Sequence, residues 1–123
     1  MTIISSQEIA RYRSALAEYP EALVALDAIE DCEGDLEDAA ISLGIQAGLQ
    51  PDRLDWLDGL AKRYRVTICL EEVKADLLNG RLAQAVRHLI ETDVCPVLLA
   101  TPVVIYVVKT GVNYFCAPLD LKL

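Results

Sequence analysis

Residues 102–109 read PVVIYVVK, and residues 112–117 read VNYFCA. The first segment carries no charge before its final lysine and consists mainly of β-branched and aromatic residues, which favour strands. A Thr-Gly pair at 110–111 stands between the two segments and is a turn signal. The pattern therefore predicts a C-terminal antiparallel β-hairpin over residues 102–117.

The predicted first strand shows no alternation of apolar and polar residues, which is typical of a strand covered on both faces. The rest of the chain can cover one face, but a two-stranded hairpin leaves open edges that invite pairing with another chain. We therefore expect a homodimer in which Val103, Ile105 and Val107 form the dimer strand. The alternative is a monomer in which the C-terminal tail or the last predicted helix shields the hairpin.

Upstream of the hairpin, residues 1–93 repeat apolar side chains at steps of three and four, which indicates amphipathic helices. Candidate N-caps, prolines at first helical positions and terminal glycines divide this stretch. The predicted helices are 6–18, 20–33, 36–47, 51–64, 68–79 and 81–92. The sequence thus predicts a single α+β domain over residues 1–123, mostly helical, whose body of about six helices carries a C-terminal hairpin.

The longest predominantly apolar run, residues 94–108, has fifteen residues. A membrane-spanning helix needs about 20 residues, and this run contains two prolines and many β-branched residues. The first residues of the chain also lack the basic segment and long apolar run of a signal peptide. We therefore expect no membrane association.

Charge is distributed unevenly along the chain, whose net charge is −8. Residues 1–60 hold three Arg and thirteen Asp or Glu (−10), whereas residues 61–123 hold eight Lys or Arg and six Asp or Glu (+2). The acidic half should repel nucleic-acid phosphates and anionic lipids and attract a basic protein surface. With 54% apolar and 24% charged residues, the chain is not a disordered one.

The four cysteines are Cys32, Cys69, Cys95 and Cys116, and no two of them form a C-x-x-C pair. This spacing excludes a zinc ribbon and a thioredoxin motif. Each cysteine lies in an apolar stretch, where a free thiol packs as a small hydrophobic side chain. We therefore expect four free thiols and a cytoplasmic location.

Candidate catalytic and metal sites are few. Six carboxylates lie within residues 30–38, which suggests a calcium-binding loop. Aligning Gly34 with the invariant glycine of such a loop puts Ile29 and Ala40 at positions that need oxygen ligands. Neither side chain has an oxygen, so the segment does not fit a calcium loop. The single histidine, His88, lies in a predicted helix without an assignable nucleophile. We expect no catalytic residue, no metal and no cofactor, and we interpret the chain as a non-enzyme.

One acidic stripe is a candidate partner-binding surface. Asp52, Asp55 and Asp58 recur every three residues beside Trp56, which places them along one face of the predicted fourth helix. Such a stripe could bind a basic partner. The alternative is an exposed face in which Asp58 pairs with Lys62.

Residues 34–45, from Gly34 to Ile45, read GDLEDAAISLGI. This segment resembles the helix-turn-helix of Fis-type DNA-binding domains, in which paired alanines precede Leu-Gly-Ile. The resemblance implies that the helix from Pro51 is the recognition helix. That helix carries three aspartates, whereas phosphate contacts need Lys or Arg, so we do not expect nucleic-acid binding.

The same region, from Ala25 to Leu43, also resembles a ubiquitin-associated domain, where a Gly-Asp step joins the second and third helices of a three-helix bundle. The Met-Gly-Phe-like loop of that family is replaced here by Tyr-Pro-Glu at 19–21. This resemblance implies a protein-binding module.

Taken together, these observations predict a non-enzymatic intracellular protein-interaction or regulatory module with an acidic N-terminal half. Its partner would be another protein with a basic surface. A helix-turn-helix nucleic-acid-binding regulator is the alternative hypothesis, and a small enzyme using His88 is the third.

Overall fold

The computed structural model describes residues 2–53 and 55–120. In chain order its helices are α1 Ser6–Ala15, α2 Pro20–Asp31, α3 Leu36–Gln46, α4 Trp56–Arg63, α5 Arg65–Ile68, α6 Glu71–Leu78, α7 Leu82–Glu91, α8 Val97–Thr110 and α9 Val112–Asp120. These residues contain no β-strand, only an isolated bridge between Ile3 and Asp35. The predicted α+β class with a C-terminal hairpin is therefore wrong, and the described part of the chain is all-helical.

The segment predicted as the first strand lies inside α8, the central helix of the molecule. Helices α2, α3, α4 and α7 all pack against α8. Its side chains from Leu99 to Ile105 are buried, and so is Val107. A helix that is apolar all round requires burial on every side, and this environment outweighs the strand preference of valine and isoleucine.

The predicted second strand is helical as well. Gly111, with a φ of 108°, lies between α8 and α9, and the two helices are bent by 87° at this break. The chain therefore turns at the predicted place, but it turns between two helices. Within the described residues no single helix is long and apolar enough to cross a membrane, and α8 and α9 reach that length and composition only as a bent pair.

The predicted dimer strand is buried within its own chain. Val103, Ile105 and Val107 each have an exposed fraction of 0%. They face neighbouring helices and have no strand edge to offer, so the predicted interface is wrong. The homodimer itself stays a prediction, now without an interface.

The predictions for the helical body are largely confirmed. Four helices begin and end within three residues of their predicted bounds: α1, α2, α3 and α7. Ser5 and Asp35 accept hydrogen bonds from backbone N–H groups at the starts of α1 and α3, as N-caps do. The fourth helix begins at Trp56 rather than at residue 51, and Leu54 lies outside the described residues. The predicted fifth helix, 68–79, corresponds to α6; the short α5, which the sequence did not predict, precedes it, and extended backbone at Leu70 separates the two.

The N-terminal segment joins the turn between α2 and α3. The Ile4 N–H donates to the Gly34 carbonyl at 2.8 Å, and the Leu36 N–H donates to the Thr2 carbonyl at 2.9 Å. Gly34 has a φ of 87°, and a Cβ there would collide with the carbonyl oxygen of Ile4. Only glycine meets both conditions without strain. The Glu37 carboxylate accepts two further hydrogen bonds from Thr2, each 2.7 Å long.

Candidate functional site

A groove of about 490 Å³ opens between α4, α5, the end of α8 and α9. We call it the Arg65 groove. Its lining combines three charged side chains with aromatic and small apolar ones: Asp58, Lys62, Arg65, Tyr106, Thr110, Tyr114, Phe115, Ala117 and Pro118. The volume falls within the range of ligand-binding pockets, about 300–1,000 Å³.

A short polar network forms one wall of the groove. The Tyr106 hydroxyl donates to Oδ1 of Asp58 at 2.6 Å, and the Lys62 ammonium lies 2.7 Å from Oδ2 of the same carboxylate. Both oxygens of Asp58 are therefore engaged, and Lys62 offsets its charge. Since Lys62 follows Asp58 by four positions in α4, helix geometry brings this pair together.

The network separates the pKa values of its two acidic groups. Burial raises the pKa of Tyr106 to about 12, and its hydrogen bond to Asp58 adds to the shift. Burial alone would also raise the pKa of Asp58, but the hydrogen bonds from Lys62 and Tyr106 outweigh it and lower that pKa. At neutral pH Tyr106 is therefore the donor and Asp58 the ionised acceptor.

Arg65 is the second cation of the groove, and its surroundings differ from those of Lys62. Its guanidinium carbon lies 4.9 Å from the centroid of the Phe115 ring, within range of a cation–π interaction. Its Nε atom is buried and has no hydrogen-bond partner among the described residues. The ion pairs found in that part of the chain include Lys62 but not Arg65. Arg65 is thus a cation without an ion pair among the described residues, although its charge contributes to the lowered pKa of Asp58.

A disulfide between Cys69 and Cys116 joins the residue that follows α5 to α9, beside the groove. The prediction of four free thiols is therefore wrong. Cys69 and Cys116 are 47 positions apart, and only the tertiary fold brings them together. Cys32 and Cys95 are free. The disulfide also removes the free-thiol argument for a cytoplasmic location, which stays a prediction.

Burial makes the two free thiols poor nucleophiles. It raises the pKa of Cys95 to about 12, and it is also the main cause of the raised pKa of Cys32, with nearby aspartates contributing. Thiolates are the reactive form of cysteine. Neither residue is therefore a candidate catalytic nucleophile.

Three exposed apolar side chains lie close in sequence to the cysteines of the disulfide. The described residues expose eight large apolar side chains, and three of these lie within three positions of Cys69 or Cys116. They are Val66, Leu70 and Tyr114, with exposed fractions of 67%, 44% and 77%. Grouped exposed apolar side chains are typical of interaction sites, whereas single ones are ordinary.

The structure divides the predicted acidic stripe. Asp52, Asp55 and Trp56 line a separate depression of about 340 Å³, whereas Asp58 lies in the Arg65 groove. Both carboxylate oxygens of Asp55 accept hydrogen bonds from Arg53, at 3.0 and 3.1 Å, so its charge is largely offset.

Trp56, predicted as part of the same stripe, is half-buried. A Cβ at Gly44 would lie 2.6 Å from its ring. Its indole therefore occupies the space that the missing side chain of Gly44 leaves on α3, and it contributes to the packing of α3 against α4. The stripe does not form one continuous surface.

The helices do not reproduce the spacing of a helix-turn-helix. Gly44 lies inside α3, and residues 47–55, nine positions, separate α3 from α4. The motif joins its two helices by a turn of about three or four residues. In the region that resembles a ubiquitin-associated domain, α1, α2 and α3 do follow one another, but α2 and α3 also pack against α8. The core of these three helices is thus completed by a distant part of the chain.

The acidic cluster at residues 30–38 has structural roles. Glu30 lies 3.5 Å from Arg13, Glu37 binds Thr2, and Asp35 caps α3. Among the residues that the structure describes, no three His, Cys, Asp or Glu side chains form a group that could hold a metal ion. His88 borders a depression of about 160 Å³, and the described residues around it are charged or amide side chains, none of them a hydroxyl or thiol nucleophile.

Most residues of the Arg65 groove were not recognised as functional in the sequence. In the sequence Lys62 stands out only as the partner of Asp58 four positions away, Arg65 carries no functional signal, and Asp58 belongs to the predicted aspartate stripe. Tyr106 carried one signal, since it is the sole hydroxyl-bearing aromatic in a run of aliphatic residues. Tyr114 and Phe115 were assigned to a strand.

The comparisons with known proteins give no relative. The chain matches no protein-family model, and neither the curated proteins nor the solved structures provide a match. The groove and the surface beside it are therefore the features of the molecule that indicate a function.

Proposed function

We propose that this chain is a non-enzymatic protein-interaction module, and that its partner binds the face formed by α5 and α9 around the Arg65 groove. The observation that carries the proposal is the Arg65 groove, with the exposed Tyr114 in its lining; the exposed Val66 and Leu70 lie on the segment that the disulfide joins to α9. A partner covering these side chains removes their apolar surface from water, which is the main favourable term in association. The disulfide holds the two elements of the face together.

Amino-acid type supports the same face. Tyrosine and arginine are enriched among the residues that contribute most to protein interfaces. Tyr114 and Arg65 both line the groove. The proposal moves the partner site from the predicted aspartate stripe to this groove, because Asp55 is paired with Arg53 and only Asp58 of the stripe lies in the groove.

The test places a photo-crosslinking amino acid at position 114 and, in a matched control, at position 45. Ile45 is 63% exposed and lies on α3, away from the groove-lining residues in sequence. After irradiation in native lysate, we expect a covalent adduct from position 114 and none from position 45. Excess unlabelled wild-type chain should suppress the adduct.

A second crosslinking site at position 66 shows whether an adduct arises from the face as a whole or only from the substitution at position 114. The same adduct mass is expected from both positions. Adducts of equal yield at position 45, or none at positions 66 and 114, would contradict the proposal.

A further inference from the structure

We propose that the Arg65 groove binds a peptide segment of the partner that carries one carboxylate beside an apolar side chain. This inference rests on the proposed function and names the chemistry that the groove recognises. Arg65 would bind the carboxylate, and the exposed Tyr114 and Pro118 would contact the apolar side chain.

Charge complementarity is the first argument. Among the groove-lining residues Asp58 offsets Lys62, and Arg65 remains, which leaves the groove with one net positive charge. A single carboxylate neutralises this charge, whereas a second anionic group would meet Asp58. The half of the chain that supplies α5, α8 and α9 is also the half with a positive charge balance, +2.

Donor geometry is the second argument. A guanidinium has five N–H donors in a planar fork that matches a carboxylate. The contact with Phe115 holds one face of this group in place; Nε is enclosed by the protein, so a carboxylate in the groove would bind the terminal Nη donors. A carboxylate ligand supplies the acceptors that the described residues do not. Lys62 is less suited to this role, because its ammonium already contacts Asp58.

The apolar wall is the third argument. Ala117 and the exposed Pro118 form part of the lining, together with Tyr114, which is 77% exposed; Phe115 also lines the groove but is only 3% exposed. A simple inorganic anion would leave this surface in contact with water. A segment with an apolar side chain next to the carboxylate covers it, and a volume of about 490 Å³ accommodates both groups.

The test titrates three short peptides into ¹⁵N-labelled protein and follows the Arg65 Nε–H signal by NMR. The first peptide is acetyl-glutamyl-phenylalanine amide, which has a side-chain carboxylate. The second is acetyl-alanyl-phenylalanine with a free α-carboxylate, and the third is the neutral acetyl-glutaminyl-phenylalanine amide. We expect the Arg65 signal and the backbone signals of Tyr114 and Phe115 to shift with one or both acids and not with the neutral peptide. Whichever acid binds more tightly identifies the source of the carboxylate.

Two variants of the groove and one matched control sharpen the result. Arg65→Gln should weaken the binding of the preferred acidic peptide by at least about tenfold, the loss expected for a charge-assisted hydrogen bond. Arg65→Lys keeps the charge but lacks the planar fork of donors, so it should also weaken the binding of that peptide. Arg63→Gln, which removes an exposed cation two positions away that does not line this groove, should leave the affinity unchanged.

The outcomes separate the two proposals. If position 114 crosslinks a partner but no peptide shifts the Arg65 signal, the interaction face stands and the carboxylate chemistry is wrong. If the neutral peptide binds as well as the acids, or if the Arg65 variants bind them normally, the carboxylate chemistry is also wrong. If position 114 yields no adduct while the acids bind through Arg65, the groove recognises a carboxylate and the proposed function is wrong.

Discussion

The N-terminal segment and α9 both attach to the helical core, but through different interactions. Thr2 and Ile4 are held by backbone hydrogen bonds to the turn around Gly34 and by the Glu37 carboxylate. Helix α9 is held by the Cys69–Cys116 disulfide and by buried Phe115. The first attachment closes a turn, whereas the second forms one wall of the Arg65 groove. The comparison indicates that the covalently fixed attachment is the one that shapes the candidate site.

Both attachments depend on α8, which packs against α2 and α3 on one hand and α9 on the other. Substituting Val107 by Lys would place an unpaired charge in this shared core and should abolish both attachments together. We expect a loss of about 5 kcal/mol, which is comparable to the whole stability of a small domain. Urea unfolding followed by circular dichroism measures this loss in the free energy of unfolding.

Val66→Lys is the matched control, because Val66 is 67% exposed, and it should change stability by less than about 0.5 kcal/mol. A Val107→Lys chain that keeps the wild-type unfolding midpoint and changes only its oligomeric state would instead support the hairpin dimer.

Removing the disulfide should affect the C-terminal attachment alone. For cysteines 47 positions apart, the chain-entropy model gives a loss of about 4 kcal/mol in the double substitution Cys69→Ser with Cys116→Ser. Cys32→Ser, which changes a half-buried free thiol, is the control and should cost less. Thiol titration of the denatured wild type without reductant should count two thiols; a count of four, or an unfolding midpoint unaffected by reductant, would refute this account of α9.

The helices of the body could be predicted from the sequence because their signals are local. Apolar spacing, the caps at Ser5 and Asp35, and Gly34 all act within a few residues of one another. The segment around Val104 could not be assigned in the same way, because its helical state depends on helices distant in sequence that cover every side of it. Without those neighbours, strand propensity was the only signal left.

The candidate site shows the same contrast between signals that are local in the sequence and contacts that are distant in it. The Asp58–Lys62 pair was predictable from its four-residue spacing, and it is present. The contacts of Asp58 with Tyr106 and of Arg65 with Phe115, and the joining of Cys69 to Cys116, span about fifty residues each in the sequence. No local pattern encodes such contacts, so the groove became visible only in the fold.

The N-terminal attachment can be tested with two glycines of similar backbone conformation. Gly34 and Gly48 have φ values of 87° and 85°, but an added Cβ meets the Ile4 carbonyl at Gly34 and nothing within 4 Å at Gly48. Gly48→Ala should therefore cost about 1 kcal/mol of backbone strain, and Gly34→Ala about 2–3 kcal/mol. Equal losses in urea unfolding would mean that the segment around Ile4 does not dock against this turn.

The smallest expected effect concerns the proton shared by Tyr106 and Asp58. Tyr106 should titrate at about 12, and Asp58→Asn should lower that pKa, because the charged acceptor is lost while burial remains. Tyr12, whose pKa is raised mainly by burial, is the internal control. Tyrosine ring NMR signals followed between pH 9 and 13 report both; an unchanged Tyr106 pKa in the variant would exclude the hydrogen bond.

The direction of the pH effect on stability follows from these shifts. The raised pKa of Tyr106 means that the folded state holds this proton more tightly than the unfolded state. The associated stability is complete below the unfolded value, about 10, and is lost as the pH rises towards 12. For Asp58 the lowered pKa stabilises the fold above the unfolded value and ceases to do so as the pH falls through the folded one.

The whole account depends on α8 and α9 being helices, since only then do Tyr106 and Tyr114 line the same groove. Backbone ¹³Cα chemical shifts of residues 97–120 measure this most directly. The structure predicts downfield, helical shifts through Val97–Thr110 and Val112–Asp120 with a break at Gly111. Upfield, strand-like shifts over residues 102–109 and 112–117 would contradict it and restore the hairpin.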